Sequence, residues 1–159
     1  MTLYGKAAKL LGILTTNSYR RALLKGVAAS VEHGPVLRAI QCNTVIDVGA
    51  NRGQFALVAR NCLPQARIIS IEPLAAAAKY LERVFRGDKN TELHRMAIGP
   101  NRGRVPIHIS YRDDSSSLLP IGAVQAKLFP GTEEVSQKVV DVATLRDCIG
   151  VKQLVPPVF

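Results

Sequence analysis

Five residues in the second quarter of the chain combine types and spacings that could do chemistry. Gly49 and Gly53 bracket Asn51 in Thr44–Ala56, TVIDVGANRGQFA, and Asp47 precedes the first glycine by two positions. Glu72 follows Gly49 by 23 residues, at the end of the apolar run Arg67-Ile68-Ile69-Ser70-Ile71. A glycine turn between a strand and a helix brings backbone N–H groups and a helix N-terminus up to a ligand. An acidic residue about 20 positions later, at the tip of the next strand, is placed to accept hydrogen bonds from ribose hydroxyls. Asn51 tolerates a left-handed backbone or caps the helix. Asp47 lies inside an apolar run and needs a partner, because an unpaired buried carboxylate is costly. An ordinary strand–turn–helix ending in a surface Glu is the plainer alternative. The two features together favour a nucleoside-containing cofactor.

The dinucleotide fingerprint requires G-x-G-x-x-G, whereas this chain has G-A-N-R-G, with Asn51 where the second glycine belongs. That glycine is what lets backbone approach a pyrophosphate, so a nicotinamide-binding oxidoreductase domain is the weaker alternative. A second polar cluster, Asp113-Asp114-Ser115-Ser116-Ser117, could be an acceptor-binding loop or only a polar turn. Asp113, Asp114 and Ser117 are the candidates for proton transfer; no residue is assigned as the catalytic base. His94 falls in a strand, where a satisfied structural histidine is the commoner case. His33, His94 and His108 show no spacing with Cys or carboxylate that suits a metal site, and none is expected.

The segments VIDVGANRGQFA (45–56), IISIEPL (68–74), HRMAIG (94–99) and DDSSSLLP (113–120) resemble the FkbM family of S-adenosylmethionine-dependent methyltransferases. VVDVATLRDCI (139–149) is similar to the segment before that family's next core strand, and the resemblance covers roughly residues 40–159. It implies an α/β fold with a class I methyltransferase-like Rossmann sheet and S-adenosyl-L-methionine as cofactor. It also implies O-methylation of a sugar or glycolipid hydroxyl. Gly49 and Gly53 would lie beside the methionine part, Glu72 on the ribose, Ala97 and Ile98 near the adenine, with Asp47 and Asn51 completing the cofactor set. The DDSSSL-like segment would lie near the active site.

Family members continue into a strand of the type LLKIDVQG, whereas here the chain reaches Val155-Pro156-Pro157-Val158-Phe159. The resemblance therefore implies that the C-terminal strands are missing, and a non-catalytic cofactor-binding fragment or pseudoenzyme is the alternative function. The fourth strand would normally lie beside the first. Its loss predicts an unpaired Thr44–Val48 edge, marginal stability and self-association. Folding back of Leu154–Phe159 over that edge is the alternative. It is disfavoured at this point because Pro156 and Pro157 cannot donate ladder hydrogen bonds.

Periodicity supplies the elements that must position these residues. Residues 3–14 and 18–32 read as helices with Asn17 or Ser18 as cap, Leu11, Leu14, Leu23, Leu24 and Val27 as apolar faces, and Gly34-Pro35 as terminator. Strands at 44–49, 67–72 and 91–97 alternate with helices at 53–62 and 74–86, an order that argues for a parallel sheet. A turn at Asn101-Arg102-Gly103 opens a strand at 104–110. An irregular loop with a helical turn spans 115–130, a strand 137–142 and a short helix 144–149. Residues 1–40 are taken as a helical cap and 41–159 as the cofactor-binding part.

At 159 residues and 47% apolar composition the chain has the size and balance of a single globular domain. No apolar run is long enough for a transmembrane helix, and the start shows no convincing signal-peptide cleavage site. Cys42, Cys62 and Cys148, odd in number and widely spaced, suit reduced thiols and a cytoplasmic location. The net charge of +9 is concentrated at the start, where residues 1–42 carry +5. Its alternation with Leu, Ala and Val suits the solvated face of amphipathic helices, although peripheral membrane contact through this segment stays open. No nucleic-acid partner is expected.

Overall fold

The structure is a computed structural model that describes residues 10–150 and 154–159. After α1 (residues 10–15) and α2 (Asn17–Leu24), a 3-10 turn (Val31–His33) leads into α3 (Gly34–Ala39). Strands β1 (Thr44–Val48), β2 (Arg67–Ile71) and β3 (Thr91–His94) alternate with α4 (Gln54–Cys62) and α5 (Ala75–Val84). They form one parallel sheet in the order β1-β2-β3, with Asp47 opposite Ser70 and Ile71 opposite His94. A second sheet joins β4 (Ala97–Ile98), β5 (Gly103–Ser110) and β6 (Glu134–Ala143) in the order β4-β6-β5. Here β4 is parallel and β5 antiparallel to β6. Helices α6 (Ala123–Leu128) and α7 (Leu145–Cys148) flank β6 in the chain, and the Thr144 hydroxyl caps α7 by accepting the Asp147 N–H.

The parallel strands alternate between two apolar clusters. Val45 and Ile68 pack with Ala56–Ala59 of α4, with Ile13, Tyr19, Ala22 and Leu37 of the N-terminal helices, and with Val27 just past α2. Ile69 and Ile71 face the opposite way, towards Ile46, Met96, Ile98, Ile149 and Leu154. This double burial explains why β1 and β2 read as nearly continuous apolar runs.

Several expectations change. The predicted 18–32 helix stops early, because Gly26 takes φ +85° and the N–H groups of Gly26 and Val27 return to the carbonyls of Leu23 and Ala22. That is a Schellman termination, which a glycine at this position favours. Gly34-Pro35 begins α3 instead of ending a helix, since proline fits the first helical turn, where its missing N–H costs nothing. Of the five expected apolar positions, only Val27 is buried; Leu11, Leu14, Leu23 and Leu24 are exposed, and Ile13, Tyr19 and Ala22 do the packing. Residues 3–9 of the first predicted helix lie outside the described residues. The predicted third strand divides at Arg95-Met96, because Ala97 and Ile98 leave β2 to pair with Val142 and Ala143.

The expectation of an open β1 edge is overturned over Thr44–Ile46. The last residues run parallel to β1, with Val158 bridged to Thr44. The Pro157 carbonyl accepts the N–H groups of Asn43 and Thr44 at 2.9 and 3.3 Å. The Phe159 carbonyl accepts the Ile46 N–H at 2.8 Å, and the Phe159 N–H donates to the Thr44 carbonyl at 2.9 Å. Proline cannot donate, but this pairing asks its carbonyl only to accept. The Thr44 hydroxyl exchanges bonds with Val155 N–H and carbonyl, and Phe159 stacks on Phe55 at 6.4 Å. With that edge covered, the premise for predicted self-association is removed there.

Thr44→Val keeps the shape of the fully buried Thr44 side chain but orphans the Val155 backbone groups. It should lower unfolding free energy by about 1–3 kcal/mol, as measured by urea denaturation. Deleting residues 155–159 should shift the chain to oligomers in sedimentation velocity; a monomeric deletion variant would show that the edge does not need this cover.

Candidate functional site

The glycine turn is held from two sides by buried carboxylates. Gly49 (φ +78°) and Ala50 donate their N–H groups to the Ile71 carbonyl at 2.9 and 3.0 Å, fixing the turn beside the end of β2. Asn51 takes φ +47°, the left-handed conformation that its side chain tolerates. Its N–H donates to Glu72 Oε2 at 2.8 Å, while Glu72 Oε1 accepts the Leu74 N–H at 2.8 Å. Glu72 is buried, so these charge-assisted bonds tie the turn to the start of α5.

Asp47 performs the matching task beneath the turn. Gly53 precedes α4 with φ +88° and provides no side-chain cap, and the Asp47 carboxylate accepts the N–H of Ala56 in the first turn of that helix. Burial, followed by the nearby Glu72 charge, pushes the Asp47 carboxyl up to about 6, and the Ala56 N–H opposes the rise. Asp47 Oδ2, Asn51 Oδ1 and Ser70 Oγ are buried and have no hydrogen-bond partner among the described residues. Such atoms are uncommon in folded proteins and mark sites prepared for further polar partners.

Beside the turn, at the C-terminal ends of the parallel strands, lies a cleft of about 340 Å³. Open α/β sheets commonly bind ligands in this position. One wall is Val48, Gly49, Asn51, Ile71, Glu72, Pro73 and Leu74; the other is Met96, Ala97, Ile98, Ile107, Asp114 and Ser116–Leu118. A Cβ built on Gly49 would meet no atom within 4 Å, so the glycine leaves open space on the cleft side. Gly53 differs: a Cβ there would lie 3.0 Å from Leu81 Cγ and 3.2 Å from Phe85 Cε2, and it does not line the cleft. Its place is close packing of α4 against α5.

The structure thus brings Gly49, Asn51, Glu72, Ala97, Ile98, Asp114 and Ser117 around one cleft, with Asp47 directly under it. Asp113 begins the 3-10 turn Asp113–Ser115, and its side chain lies outside the described part. The loop is stitched to β5: His108 and Ser117 exchange backbone bonds at 2.8 and 3.0 Å, and Ser116 Oγ accepts the Ser110 N–H. Asp114 pairs with Arg112 at 3.4 Å. His94 does not line the cleft; its carbonyl accepts the Glu72 N–H and its ring faces Glu92. Sequence reasoning missed Leu74, which follows Glu72 on the turn wall, and Met96, Ile107 and Leu118, which converge on the other wall only through the second sheet. Among the described residues, no group of three or more His, Cys, Asp or Glu is placed to hold a metal ion. None of their helices is long and apolar enough to cross a membrane.

This arrangement defines a mixed α/β protein with a small parallel sheet and a ligand-sized cleft at its strand ends, compatible with a methyltransferase fold. Residues 47–152 match the Methyltransferase FkbM domain, and the chain belongs to that family. Among curated proteins none matches the chain.

The Asp47 carboxyl gives a signed pH test. Its folded pKa of about 6 lies above its ordinary value of 3.8, so folding disfavours the ionised form. Its unfavourable contribution is absent below the ordinary value, grows as pH rises towards 6, and is complete above that. Asp47→Asn keeps an acceptor for the Ala56 N–H without a charge. It should raise unfolding free energy at pH 7.5 by about 1–3 kcal/mol and have a smaller effect at pH 4, read by urea denaturation at both pH values.

Proposed function

We propose that this chain is an S-adenosyl-L-methionine-dependent O-methyltransferase whose acceptor is a sugar or glycolipid hydroxyl. The observation that carries the reading is the buried Glu72 carboxylate, bound to the Asn51 N–H across the glycine turn on the cleft wall of a FkbM-family chain. The residues present fit the cofactor. Gly49 leaves room for close approach to backbone, Glu72 supplies acceptor oxygens, and Ile71, Leu74, Ala97 and Ile98 offer an apolar wall for an adenine. Glu72 stands on the cleft wall with its carboxylate at the turn, which is where ribose hydroxyls would find an acceptor. Asp47 and Asn51 contribute buried polar atoms next to the place assigned to the methionine part.

When bound, the cofactor supplies an electrophilic methyl group on a sulfonium sulfur. The chain's task is to align an acceptor oxygen with it and to exclude water. The apolar side chains of Met96, Ile107 and Leu118 serve the second purpose. Asp114, Ser116 and Ser117 face the cleft from the wall opposite Glu72 and orient the acceptor hydroxyl. Asp114 is the carboxylate on that wall and would take the proton of the acceptor hydroxyl. The partition at residue 40 is retained in this reading as a helical cap on a cofactor-binding part.

Calorimetry with S-adenosylhomocysteine tests the assignment. Glu72→Gln should weaken binding by about 1–3 kcal/mol, and unchanged affinity would exclude Glu72 from the cofactor site. Gly49→Val should abolish the ligand-induced thermal shift, because a β-branched side chain at φ +78° is strained and projects into the open space. A thermal shift with NAD and none with S-adenosylhomocysteine would favour the oxidoreductase alternative.

A further inference from the structure

Behind the Asp113–Ser117 wall lies a second, open groove of about 580 Å³, lined by Arg112, Ser115, Val124, Gln125, Leu128 and Phe129. Its floor is anomalous. Helix α6 has no buried residue, although its sequence is AVQAKL, and Val124, Leu128 and the following Phe129 are 71%, 65% and 63% exposed. Val124 and Leu128 are four residues apart and share a helix face, which a short helix normally turns to the core. The helix is nevertheless anchored. The Arg112 N–H donates to the Gly131 carbonyl at 3.1 Å, and the Thr132 hydroxyl donates to the Phe129 carbonyl at 2.7 Å.

The groove and the cleft share one thin partition. Asp114, Ser116 and Ser117 face the cleft, whereas Arg112 and Ser115 face the groove. Arg112 and Asp114 pair with each other from their respective sides. A molecule that presents a hydroxyl at Asp114 and carries an apolar arm can lay that arm over the partition onto Val124, Leu128 and Phe129. A folded partner fits less well: stable protein interfaces use roughly 20–30 residues a side, and this apolar floor is three side chains on a six-residue helix and its end.

We infer that the α6 groove is the subsite for the aliphatic arm of the methyl acceptor, which makes the acceptor an amphipathic molecule with its reacting hydroxyl at the polar end. The inference rests on the methyltransferase reading for the role of the cleft, but the groove is tested by binding alone. The probe is n-octyl β-D-glucoside, kept below its micelle-forming concentration, with methyl β-D-glucoside as the head-group control. It is titrated into the isotopically labelled full chain and followed by amide NMR shifts.

The octyl glucoside should shift the amides of residues 112–115 and 123–132 and bind far more tightly than the methyl glucoside. Leu128→Asp and Val124→Asp, both at exposed positions that should not impair folding, should each weaken it roughly tenfold, the effect of losing one apolar side-chain contact. Both variants should keep S-adenosylhomocysteine affinity. No octyl glucoside binding, equal binding of the two glucosides, or unchanged affinity in both variants would overturn the inference. So would α6 shifts that follow protein concentration alone, which would identify a contact between copies. Octyl glucoside binding at α6 without any S-adenosylhomocysteine binding would support the groove while removing the cofactor reading.

Discussion

Two buried carboxylates, one at the end of each of the first two strands, hold the turn on which the cleft depends. Glu72 fixes the turn from the β2 side through the Asn51 N–H, and Asp47 fixes the start of α4 through the Ala56 N–H. The arrangement carries an inherent cost. Burial and the Glu72 charge raise the protonation tendency of Asp47, and the Ala56 N–H opposes this. A turn of this kind could be closed more cheaply by a serine or asparagine cap. Carboxylates in this position keep strong acceptors next to the cleft, where Asp47 Oδ2 and Asn51 Oδ1 are buried without a hydrogen-bond partner among the described residues.

The same turn requires a firm β1, and the tail contributes to that firmness. β1 is paired on one side by β2 and, over Thr44–Ile46, on the other by the last residues of the chain. Val48, at the cleft end, is exposed beyond this cover. The cover therefore supports the far end of the strand and leaves the end that meets the ligand open. The stacking of Phe159 on Phe55 connects this support to the first turn of α4, whose N-terminus Asp47 holds.

What the sequence revealed and what it hid follow from the range of the interactions. The strand–turn–helix of residues 44–62 was legible because its signals are local: β-branched runs, two glycines and an apolar helix face. Glu72 was legible through its distance from Gly49. The cleft's second wall was not, because Met96, Ile107 and Leu118 meet only after Ala97 and Ile98 cross to β6, and such long-range strand pairing has no local signature. The role of the tail was misread for a related reason. Proline's missing N–H is a local fact, whereas the relevant question was whether β1 needed a donor or an acceptor at that place. Gly53 shows the converse: its motif position suggested a ligand neighbour, but it does not line the cleft, and a Cβ there would crowd Leu81 and Phe85.

The two walls of the cleft differ in how firmly they are held, and this division bears on specificity. The turn wall is part of a parallel sheet covered on both faces and bound by carboxylates, so its geometry is set by the core. The opposite wall is mixed: Ala97, Ile107 and Leu118 pack in a second apolar cluster, whereas the Asp114–Ser117 loop is held by one backbone bridge to His108, serine-turn bonds and a solvent-exposed Arg112–Asp114 pair. Exposed ion pairs of this kind contribute little to stability, roughly 0–1 kcal/mol. In the proposed reading the turn wall and the Ala97–Ile98 strand receive the constant part of the reaction, the cofactor, and the adjustable Asp114–Ser117 loop receives the acceptor. Changes in the exposed 112–129 segment can then alter the acceptor while the cofactor turn keeps the backbone bonds that the buried carboxylates give it.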